Sequence, residues 1–412
     1  IWRDGQAETK RWWNLAERTW EKHEEVPGNP AAWYKETFDD AVNLRRISDV
    51  PVGVLLSGGL DSSSIAASLA NQDGSGIASF TVRFNERGYD EGPLARQVAE
   101  RWKLDGHELT ISPNTILEKL RTAAWFNDEP QVHASDVYLL AIAQYAKSRV
   151  TVLLSGEGAD ETLGGYLRYQ PLRYSSALPV AQFLIPRTTR ALKLNGRLRK
   201  LSRFLELGSV NRFVLFNSCD VLPEEIESLG VSCADGFAYR EHVLAEAQTL
   251  YPGDLARQAM YSDQHTFLCS VLDRNDRMTM GASIECRVPF LDYRLVEMCA
   301  ALPSSVLFKG RRSKGLLRAA LGSRLPKDIL RHRKWGFGVP WKQYLRQEQP
   351  LKSILEELPN SPLILESPLD RAALKRKVRE FLNGEDPPFP LVMQVMMTVL
   401  SWEAVKAKPE LH

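Results

Sequence analysis

The chain has 412 residues, of which 44% are hydrophobic and 25% are charged. This length and this apolar content exclude a disordered chain and allow one large domain or two to three ordinary ones. The 53 Lys and Arg residues almost balance the 51 Asp and Glu residues, which gives a formal net charge of +2. Such a balance does not predict a nucleic acid as a partner.

The cysteines and the apolar runs bear on the cellular compartment. The five cysteines are odd in number and form no Cys-x-x-Cys pair, which favours a reducing cytoplasm over a disulfide framework. No apolar run reaches the roughly 18 to 20 residues that span a bilayer, and the first residues do not form a signal peptide. We therefore expect a cytoplasmic protein with no membrane partner. Because the chain begins with Ile1, we also expect that something upstream was removed or is not part of it.

Residues 1–46 form a lead-in rich in tryptophan and charged residues, and we expect this segment to cover a seam of the fold. Between residues 47 and 170, apolar runs alternate with amphipathic stretches. The apolar runs predict strands at 52–56, 77–84, 107–111 and 150–154. The amphipathic stretches predict helices at 62–69, 91–102, 115–124 and 137–147. This order predicts an α/β fold with a mainly parallel sheet flanked by helices, and a ligand site at the carboxyl ends of the strands.

The rest of the chain has a helical pattern. Residues 171–253 predict a helical insertion, whose seven Lys and Arg residues between 187 and 203 are better explained as a solvated helix face than as an anionic docking surface. Residues 254–345 predict a second part of the site and begin with a helical pattern that breaks at Pro289. Residues 346–412 predict a helical C-terminal cap that ends in a buried closing helix.

The most informative segment reads VGVLLSGGLDSS. A predicted buried strand runs straight into Ser57, Gly58 and Gly59, and a helix opens at Asp61 or Ser62. Backbone N–H groups, two hydroxyls and the helix N-terminus meet there, which predicts an anion site that the glycines let a phosphate approach closely. The carboxylate of Asp61 fits beside an anion if Mg²⁺ lies between them. The alternative is a tight strand-to-helix turn capped by Ser or Asp.

A second segment, SGEGADE, repeats this logic of a strand, a Ser-Gly turn and an acidic cluster. In a parallel sheet the two loops would face each other at the strand ends. The carboxylates of Glu157, Asp160 and Glu161 would repel one another on a bare surface, whereas they make sense around a metal or as acid and base groups. The alternative is that these carboxylates lie at a helix N-terminus and stabilise it. This would explain one of the three carboxylates more readily than all three together.

With these segments the sequence resembles the synthetase domain of the asparagine synthetase family, whose members form amides at the expense of ATP. The resemblance covers most of the chain and rests on six ordered motifs. They read SGGLDS at 57–62, SFTV at 79–82 with YDE at 89–91, DEP at 128–130, SGEGADE at 155–161 with GGY at 164–166, DRM at 276–278 with ECRVPFLD at 285–292, and LP at 325–326 with RKWGF at 333–337. The resemblance implies an ATP-pyrophosphatase fold of the adenine nucleotide alpha-hydrolase type, with ATP as substrate and Mg²⁺ as cofactor.

The resemblance also implies which residues hold ATP. The adenosine would contact Leu55 and Val82, at the ends of two strands. The ribose and the α-phosphate would lie near Ser155 and Gly156. The residues implied for pyrophosphate and Mg²⁺ are those of the first loop, Ser57, Gly58, Gly59, Asp61 and Ser62.

Three residues would carry the implied chemistry. Glu157 would assist the formation or the aminolysis of the activated intermediate, and Asp160 would be the second carboxylate beside the metal, after Asp61. Lys334 would reach the α-phosphate, where a cation followed by glycines can follow the charge that grows on the transferring group. The alternative for Lys334 is a surface cation.

The implied reaction converts a small-molecule carboxylate, first of all aspartate, and ammonia into an amide through an acyl-adenylate, with release of AMP and pyrophosphate. In the family, a glutaminase domain that begins with a cysteine usually supplies the ammonia. Here the first cysteine is Cys219. We therefore expect that this chain alone does not hydrolyse glutamine, and that a glutaminase domain, a separate subunit or free ammonia supplies the nitrogen.

The acceptor and some alternatives stay open. Relatives of this kind also cyclise lasso peptides, close β-lactam rings or amidate sugars and antibiotics. His133, Ser135 and Asp136 lie where an acceptor could be recognised, or else are helix caps and surface positions. Thiolation of tRNA shares the first loop, but the balanced charge and the lack of paired cysteines weigh against it. A module that only binds nucleotide would not need so many charged residues. Assembly as a homodimer is also left open.

Overall fold

A five-stranded parallel sheet lies at the centre of the fold. The computed structural model describes residues 1–86, 88–133, 135–177, 207, 209–233, 236–308, 312–332 and 338–407. The central strands are β3 (Val52–Leu55), β4 (Ala78–Arg83), β5 (Asp105–Thr110), β6 (Val152–Leu154) and β7 (Glu285–Arg287), after a hairpin of β1 (Trp2–Arg3) and β2 (Gln6–Ala7). The order across the sheet is β5-β4-β3-β6-β7.

Helices surround this sheet. Those up to the second loop are α1 (Leu15–Lys22), α2 (Pro30–Arg46), α3 (Leu60–Asp73), α4 (Gly92–Trp102), α5 (Pro113–Asn127), α6 (Asp136–Ala146) and α7 (Ala159–Leu163). The following ones are α8 (Val210–Leu215), α9 (Pro223–Glu227), α10 (Ala238–Leu250), α11 (Leu255–His265), α12 (Phe267–Met280), α13 (Tyr293–Ala301), α14 (Ser304–Leu307), α15 (Gly315–Leu321) and α16 (Lys327–Arg331). The C-terminal ones are α17 (Trp341–Gln347), α18 (Leu351–Glu357), α19 (Pro362–Glu366), α20 (Arg371–Leu382) and α21 (Phe389–Ala407).

Short 3-10 turns link several of these helices. They span His23–Glu25, Leu167–Tyr169, Pro171–Ala177, Pro289–Leu291, Gly322–Arg324 and Leu358–Asn360. The basic stretch that the sequence places between residues 187 and 203 lies outside the described residues, and its interpretation as a solvated helix face stays a prediction.

Both faces of the sheet are buried, as expected for parallel strands that helices cover. Leu153 and Leu154 are fully buried in two different hydrophobic clusters, because successive side chains of a strand point to opposite faces. Gly53 of β3 has no room for a side chain, since an added Cβ would lie 2.9 Å from a ring carbon of Phe80. The apolar runs in the sequence therefore reflect burial on two sides.

The α/β fold with a parallel sheet is confirmed, and the strand and helix predictions up to residue 154 are confirmed to within a few residues. The helical pattern predicted from residue 254 is wrong at one place, where β7 (Glu285–Arg287) pairs in parallel with β6. A strand of three residues is too short to show an alternation of its own. It forms because β6 offers its backbone at that edge, which is a long-range effect that local periodicity does not contain.

The closing helix predicted at the C-terminus is present as α21, which packs against α5. Its buried side chains include Met396 and Leu400, in one cluster with Ile116 and Leu120 of α5. Within the ranges that the structure describes, no helix has the length and apolarity needed to cross a membrane.

The lead-in contacts the body of the fold at two places. The indole N–H of Trp13 donates a hydrogen bond of 2.8 Å to the carboxylate of Glu297 in α13. The rings of Tyr34 and Phe38 in α2 are buried, and Phe38 lies 4.7 Å from the ring of Phe290, measured between centroids. The helix α2 thus covers the turn that follows β7, although the domain boundaries themselves stay a prediction.

Candidate active site

The two loops predicted from the sequence meet at the carboxyl edge of the sheet. They follow β3 and β6, which are neighbours in the sheet with Val54 opposite Leu154. An open cleft of about 400 Å³ lies at these strand ends, and residues of both loops line it. This confirms the prediction that the two loops face each other.

The first loop is held by its own hydroxyls. The backbone N–H of Ser57 donates to Oγ of Ser62 at 3.2 Å, and the N–H of Gly59 donates to Oγ of Ser57 at 3.3 Å. Gly59 is the N-cap of α3 and has no side chain to bond the N–H groups of the first turn. A helix N-terminus without a side-chain cap can bind an anion.

Gly58 determines where this loop runs. Its φ of +77° lies in the left-handed region, and an added Cβ would be 2.7 Å from the backbone nitrogen of Ala95 in α4. Glycine is the residue that adopts this conformation at little cost and leaves this space free. The loop therefore packs directly on α4, and its hydroxyls are held at the cleft.

The second loop packs against the first. An added Cβ at Gly156 would lie 3.0 Å from Cβ of Asp61, so the two backbones approach as closely as a glycine allows. The three carboxylates that the sequence places together have different surroundings. Asp160 and Glu157 line the cleft, whereas Glu161 does not.

Lys314 joins the carboxylates of both loops. Its ammonium lies 2.5 Å from Oδ2 of Asp61 and 2.7 Å from Oδ1 of Asp160, and its side chain is 3% exposed. Burial by itself would lower the pKa of Lys314, but Asp160 and Asp61 outweigh burial and raise this pKa above its ordinary value. Lys314 therefore stays charged and neutralises part of the negative charge of Asp61 and Asp160.

Lys314 also has an unusual backbone. Its φ of 54° and ψ of 47° are left-handed, and it is the N-cap of α15. A side chain other than glycine adopts this conformation at a cost that the surrounding structure must offset. The ion pairs with Asp61 and Asp160 are such an offset, and they fix the ammonium between the loops.

Glu161 holds a residue of the cleft lining in place. Tyr166 donates a hydrogen bond of 2.7 Å to its Oε1. Burial and the neighbouring Asp160 raise the pKa of Glu161 to about 7. The side chain is 1% exposed, so Glu161 fixes Tyr166, which lines the cleft, and does not itself face it.

Arg274 of α12 forms a second charged group at the cleft. It donates to Oε1 of Glu157 at 2.7 Å and to Oγ of Ser135 at 2.9 Å. Its Nε lies 3.9 Å from Oδ1 of Asp136. Burial raises the pKa of Asp136 to about 7, against the opposing effect of Arg274.

The cleft also has an apolar part, which we call the apolar slot, beside the end that the two loops form. Its lining comes from the ends of β3 and β4 and from α6, and includes Leu55, Leu56, Phe80, Val82, Phe84 and Ile142. A flat aromatic group fits such a lining, with polar groups at one end. Leu55 and Val82 thus lie where the sequence places them, and their contact with adenosine stays a prediction.

Nearly all predicted site residues come together in this one cleft. Those of the first sheet half are Leu55, Ser57, Gly58, Gly59, Asp61, Ser62 and Val82, and those of the second loop are Ser155, Gly156, Glu157 and Asp160. Lys334 lies outside the described residues. Of the acceptor candidates, His133 and Ser135 line the cleft, whereas Asp136 is buried behind it.

Sequence reasoning missed Lys314 and Arg274. Lys314 stands in a basic run, GRRSKGLLR, that looks like an exposed surface. Arg274 is four residues before Met278 of a recognised motif but belongs to no motif itself. The acidic loops indicate that cationic side chains must lie beside them. This predicts the charge of those side chains but not their positions in the chain.

The carboxylates at the meeting point of the two loops suit a metal ion that also takes ligands from a phosphate. Among the residues that the structure describes, no group of three or more His, Cys, Asp or Glu side chains could hold a metal ion. Asp61 and Asp160 nevertheless converge on one cation, the ammonium of Lys314. Two carboxylates are what Mg²⁺ typically takes from a protein when phosphate oxygens and water complete its shell.

Comparison with known proteins identifies the family. A family model described as asparagine synthase matches residues 34–404. The chain belongs to the asparagine synthase family. This confirms the resemblance drawn from the motifs, and it agrees with the parallel sheet of the structure.

The curated relatives within the asparagine synthase family are of moderate similarity. The chain is 30% identical over 331 residues to asparagine synthetase [glutamine-hydrolyzing] 1 of Bacillus subtilis (strain 168), covering 78% of this chain and 52% of the relative. It is 32% identical over 345 residues to asparagine synthetase [glutamine-hydrolyzing] 3 of the same strain, covering 79% and 50%. A more distant relative is the amidase chyE of Penicillium rubens, at 26% identity over 74% of this chain and 51% of the relative. The chain spans about half the length of these relatives.

Proposed function

We propose that the chain is an ATP-dependent ligase that forms an amide through an acyl-adenylate. The observation that carries this proposal is the ion cluster of Lys314, Asp61 and Asp160 at the meeting point of the two loops, beside an apolar slot. A slot for a flat base that opens onto an anion site suits a nucleoside triphosphate. Family membership and the names of the relatives support the same proposal.

The first loop would hold the pyrophosphate part of ATP. The first turn of α3 presents N–H groups without a side-chain cap, and Ser57 and Ser62 add hydroxyls next to them. Lys314 would donate to phosphate oxygens, because its ammonium lies at the same point and remains charged. The apolar slot would take the adenine.

Asp61 and Asp160 are the residues that would hold Mg²⁺. When bound, it would neutralise charge on the pyrophosphate that leaves. The ammonium of Lys314, which now contacts both carboxylates, would then also contact phosphate oxygens.

In the first half-reaction, an oxygen of the substrate carboxylate attacks the α-phosphorus, and the bond from this phosphorus to the bridging oxygen of pyrophosphate breaks. The leaving pyrophosphate takes the electron pair. Lys314 would stabilise the charge that develops there, and Lys334 is proposed to act at the α-phosphate.

In the second half-reaction, ammonia attacks the acyl carbon, and AMP leaves with the electrons of the broken carbon–oxygen bond. The nitrogen must lose a proton. Glu157 is the carboxylate proposed to accept it, since it lines the cleft and Arg274 orients it at 2.7 Å. The product is an amide, and aspartate with ammonia would give asparagine, a step of amino-acid biosynthesis.

The nitrogen source is part of the proposal. Two of the relatives are named as glutamine-hydrolyzing, and this chain spans about half of their length. We propose that ammonia reaches the cleft from solution or from a glutaminase domain or subunit.

The test is to incubate the chain with ATP, Mg²⁺, ammonium and aspartate, and to separate AMP, ADP and asparagine by chromatography. Equal amounts of AMP and asparagine are expected. Asp61→Asn keeps the shape of the side chain but removes a charge from the proposed phosphate site, and it should form little AMP. The matched control is Asp49→Asn, which changes an exposed aspartate outside the cleft.

The outcomes separate three activities. AMP formed with another carboxylate but not with aspartate would keep the ligase and change its substrate, as in a lasso-peptide or β-lactam type of cyclase. ADP in place of AMP would contradict cleavage at the α-phosphate. Binding of ATP in calorimetry without turnover of any acid would instead indicate a module that only binds nucleotide.

A further inference from the structure

Arg318 is a second cation at the end of the cleft that the two loops form. It follows Lys314 by four residues, and residues four apart along a helix lie on one face. Both side chains line the cleft. Burial and Arg312 lower the pKa of Arg318, and the nearby Asp61 opposes them. The guanidinium therefore lies near the meeting point of the two loops.

The contacts of Arg318 leave part of its guanidinium free. Nε donates to the carbonyl oxygen of Ser313 at 3.0 Å, and Nη1 donates to that of Leu330 at 2.8 Å. Arginine carries five N–H groups, and the two on Nη2 have no acceptor in the part of the chain that the structure describes. Because Nη2 is not buried and the residue lines the cleft, these N–H groups are available to a ligand there.

Arg318 differs from the other cations of the cleft lining. Lys314 pairs with two carboxylates, and Arg274 pairs with Glu157. Among the Lys and Arg residues that the structure describes in this lining, Arg318 is the one without a carboxylate partner. Its two bonds go to neutral carbonyls, so they hold the guanidinium in place and leave its charge uncompensated. An anionic ligand would stabilise a partly buried charge of this kind.

The geometry of the proposed reaction indicates which anion suits Arg318. In an in-line attack, the acid and the leaving pyrophosphate lie on opposite sides of the α-phosphorus. Arg318 lies on the side of Lys314 and Asp61, where the leaving group is proposed to lie. The planar fork of an arginine matches two oxygens of a phosphate. Arg318 therefore fits the terminal phosphates of ATP better than the carboxylate of the acid.

We propose that Arg318 binds the β- and γ-phosphates of ATP and the pyrophosphate that leaves, as a second cation beside Lys314. When the bond from the α-phosphorus to the bridging oxygen breaks, the electron pair goes to pyrophosphate, and Arg318 neutralises part of the charge that develops there. The carbonyls of Ser313 and Leu330 hold the guanidinium in place for this contact. This inference rests on the proposed ligase activity and assigns it a further binding residue.

The test measures the dissociation constants of ATP, inorganic pyrophosphate and AMP by calorimetry, each with Mg²⁺. Arg318→Gln should weaken the binding of ATP and pyrophosphate about 10-fold to 100-fold, which is the effect of losing hydrogen bonds to a charged group. AMP lacks the two terminal phosphates, so its binding should not change and shows that the variant is folded. Arg331→Gln is the matched control, since Arg331 is exposed and does not line the cleft. It should leave all three constants unchanged.

Chemical modification tests the same residue without a substitution. Phenylglyoxal reacts with the guanidinium of arginines, and mass spectrometry of peptides locates the modified residues. Pyrophosphate with Mg²⁺ should slow the modification of Arg318 in the unchanged chain, whereas AMP should not. The modification of Arg331 should be the same in all cases. This measurement decides the question if Arg318→Gln does not fold.

Two kinds of result would overturn the inference. The first is unchanged binding of pyrophosphate in Arg318→Gln, or a modification of Arg318 that pyrophosphate does not slow. The second is an equal loss of pyrophosphate and AMP binding in a folded variant, since Arg318 then only holds the turn before α15 against α16. In both cases the binding of ATP by the unchanged chain upholds the nucleotide site. If the unchanged chain binds neither ATP nor AMP, the proposed function is contradicted and the inference fails with it.

Discussion

Lys314 donates a hydrogen bond of 2.5 Å to Asp61, a residue 253 positions earlier in the chain. The same ammonium lies 2.7 Å from Asp160, so one side chain joins the loop after β3, the loop after β6 and the start of α15. One cation therefore holds the two acidic loops together. If a nucleotide and a divalent cation bound here, the ammonium of Lys314 could contact phosphate oxygens and the divalent cation could contact the carboxylates. Neither Asp61 nor Asp160 would then lack a positive charge beside it.

The first prediction concerns the stability of this cluster. Lys314→Met keeps an unbranched side chain that is one atom shorter and removes the charge, which leaves Asp61 and Asp160 without their common cation. Breaking a buried ion pair on one side costs about 3 kcal/mol or more, and the part of these carboxylates that water reaches favours the lower end. Urea denaturation in EDTA should show this loss.

Mg²⁺ provides the control for the Lys314 variant. Millimolar Mg²⁺ should restore part of the stability of Lys314→Met, because the two carboxylates can bind it in place of the ammonium. The double variant Asp61→Asn with Lys314→Met should also be more stable than Lys314→Met in EDTA. If Lys314→Met unfolds at the same urea concentration as the unchanged chain, the ammonium does not stabilise the loops.

Much of this site follows from the sequence, and the limits have a physical reason. Asp61 and Asp160 could be placed together because each follows a strand, and parallel strands bring their carboxyl ends to one edge. The position of Lys314 depends on how α15 packs on the body of the fold, which no local pattern encodes. The position of Arg274 could not be predicted for the same reason. The strand β7 could not be predicted because it forms only by pairing with β6.

The second prediction concerns the path of the first loop. Gly58→Ala must accommodate a φ of +77° and a Cβ 2.7 Å from the nitrogen of Ala95. Left-handed strain and overpacking each cost of the order of 1 to 3 kcal/mol. We expect a loss of stability of this size in urea denaturation, together with weaker binding of ATP in calorimetry.

Gly74→Ala is the matched control for Gly58→Ala. Its φ of +86° is similar, but an added Cβ there meets nothing within 4 Å. This variant should show the cost of the backbone conformation alone and should bind ATP like the unchanged chain. Equal losses in both variants would mean that the contact with α4 does not position the loop.

The third prediction comes from the sequence alone. Lys334→Ala should abolish the production of AMP, because a cation at the α-phosphate stabilises the charge that grows in the first half-reaction. Chromatography of the nucleotides measures it. Lys327→Ala is the control, since Lys327 is an exposed lysine at the start of α16 that does not line the cleft. Unchanged AMP production in Lys334→Ala would contradict a role of that residue at the α-phosphate.

The last prediction is a dependence of stability on pH. Burial raises the pKa of Asp136 to about 7, whereas an unfolded chain has an aspartate pKa of about 3.9. The native state then holds the proton more tightly than the unfolded state, so the contribution of Asp136 to stability is fully present below about pH 4 and is lost as the pH rises through about 7. Three pKa units correspond to about 4 kcal/mol.

Asp136→Asn removes this titration and keeps the size of the side chain. Urea denaturation at pH 5, 6, 7 and 8 should therefore show a smaller decrease of the unfolding free energy in Asp136→Asn than in the unchanged chain. Some decrease should remain, because burial and Asp160 also raise the pKa of Glu161 to about 7. Asp49→Asn, at an exposed aspartate, should keep the full slope. The same slope in all three proteins would show that Asp136 is ionised in the native state throughout this range, with Arg274 as its effective partner.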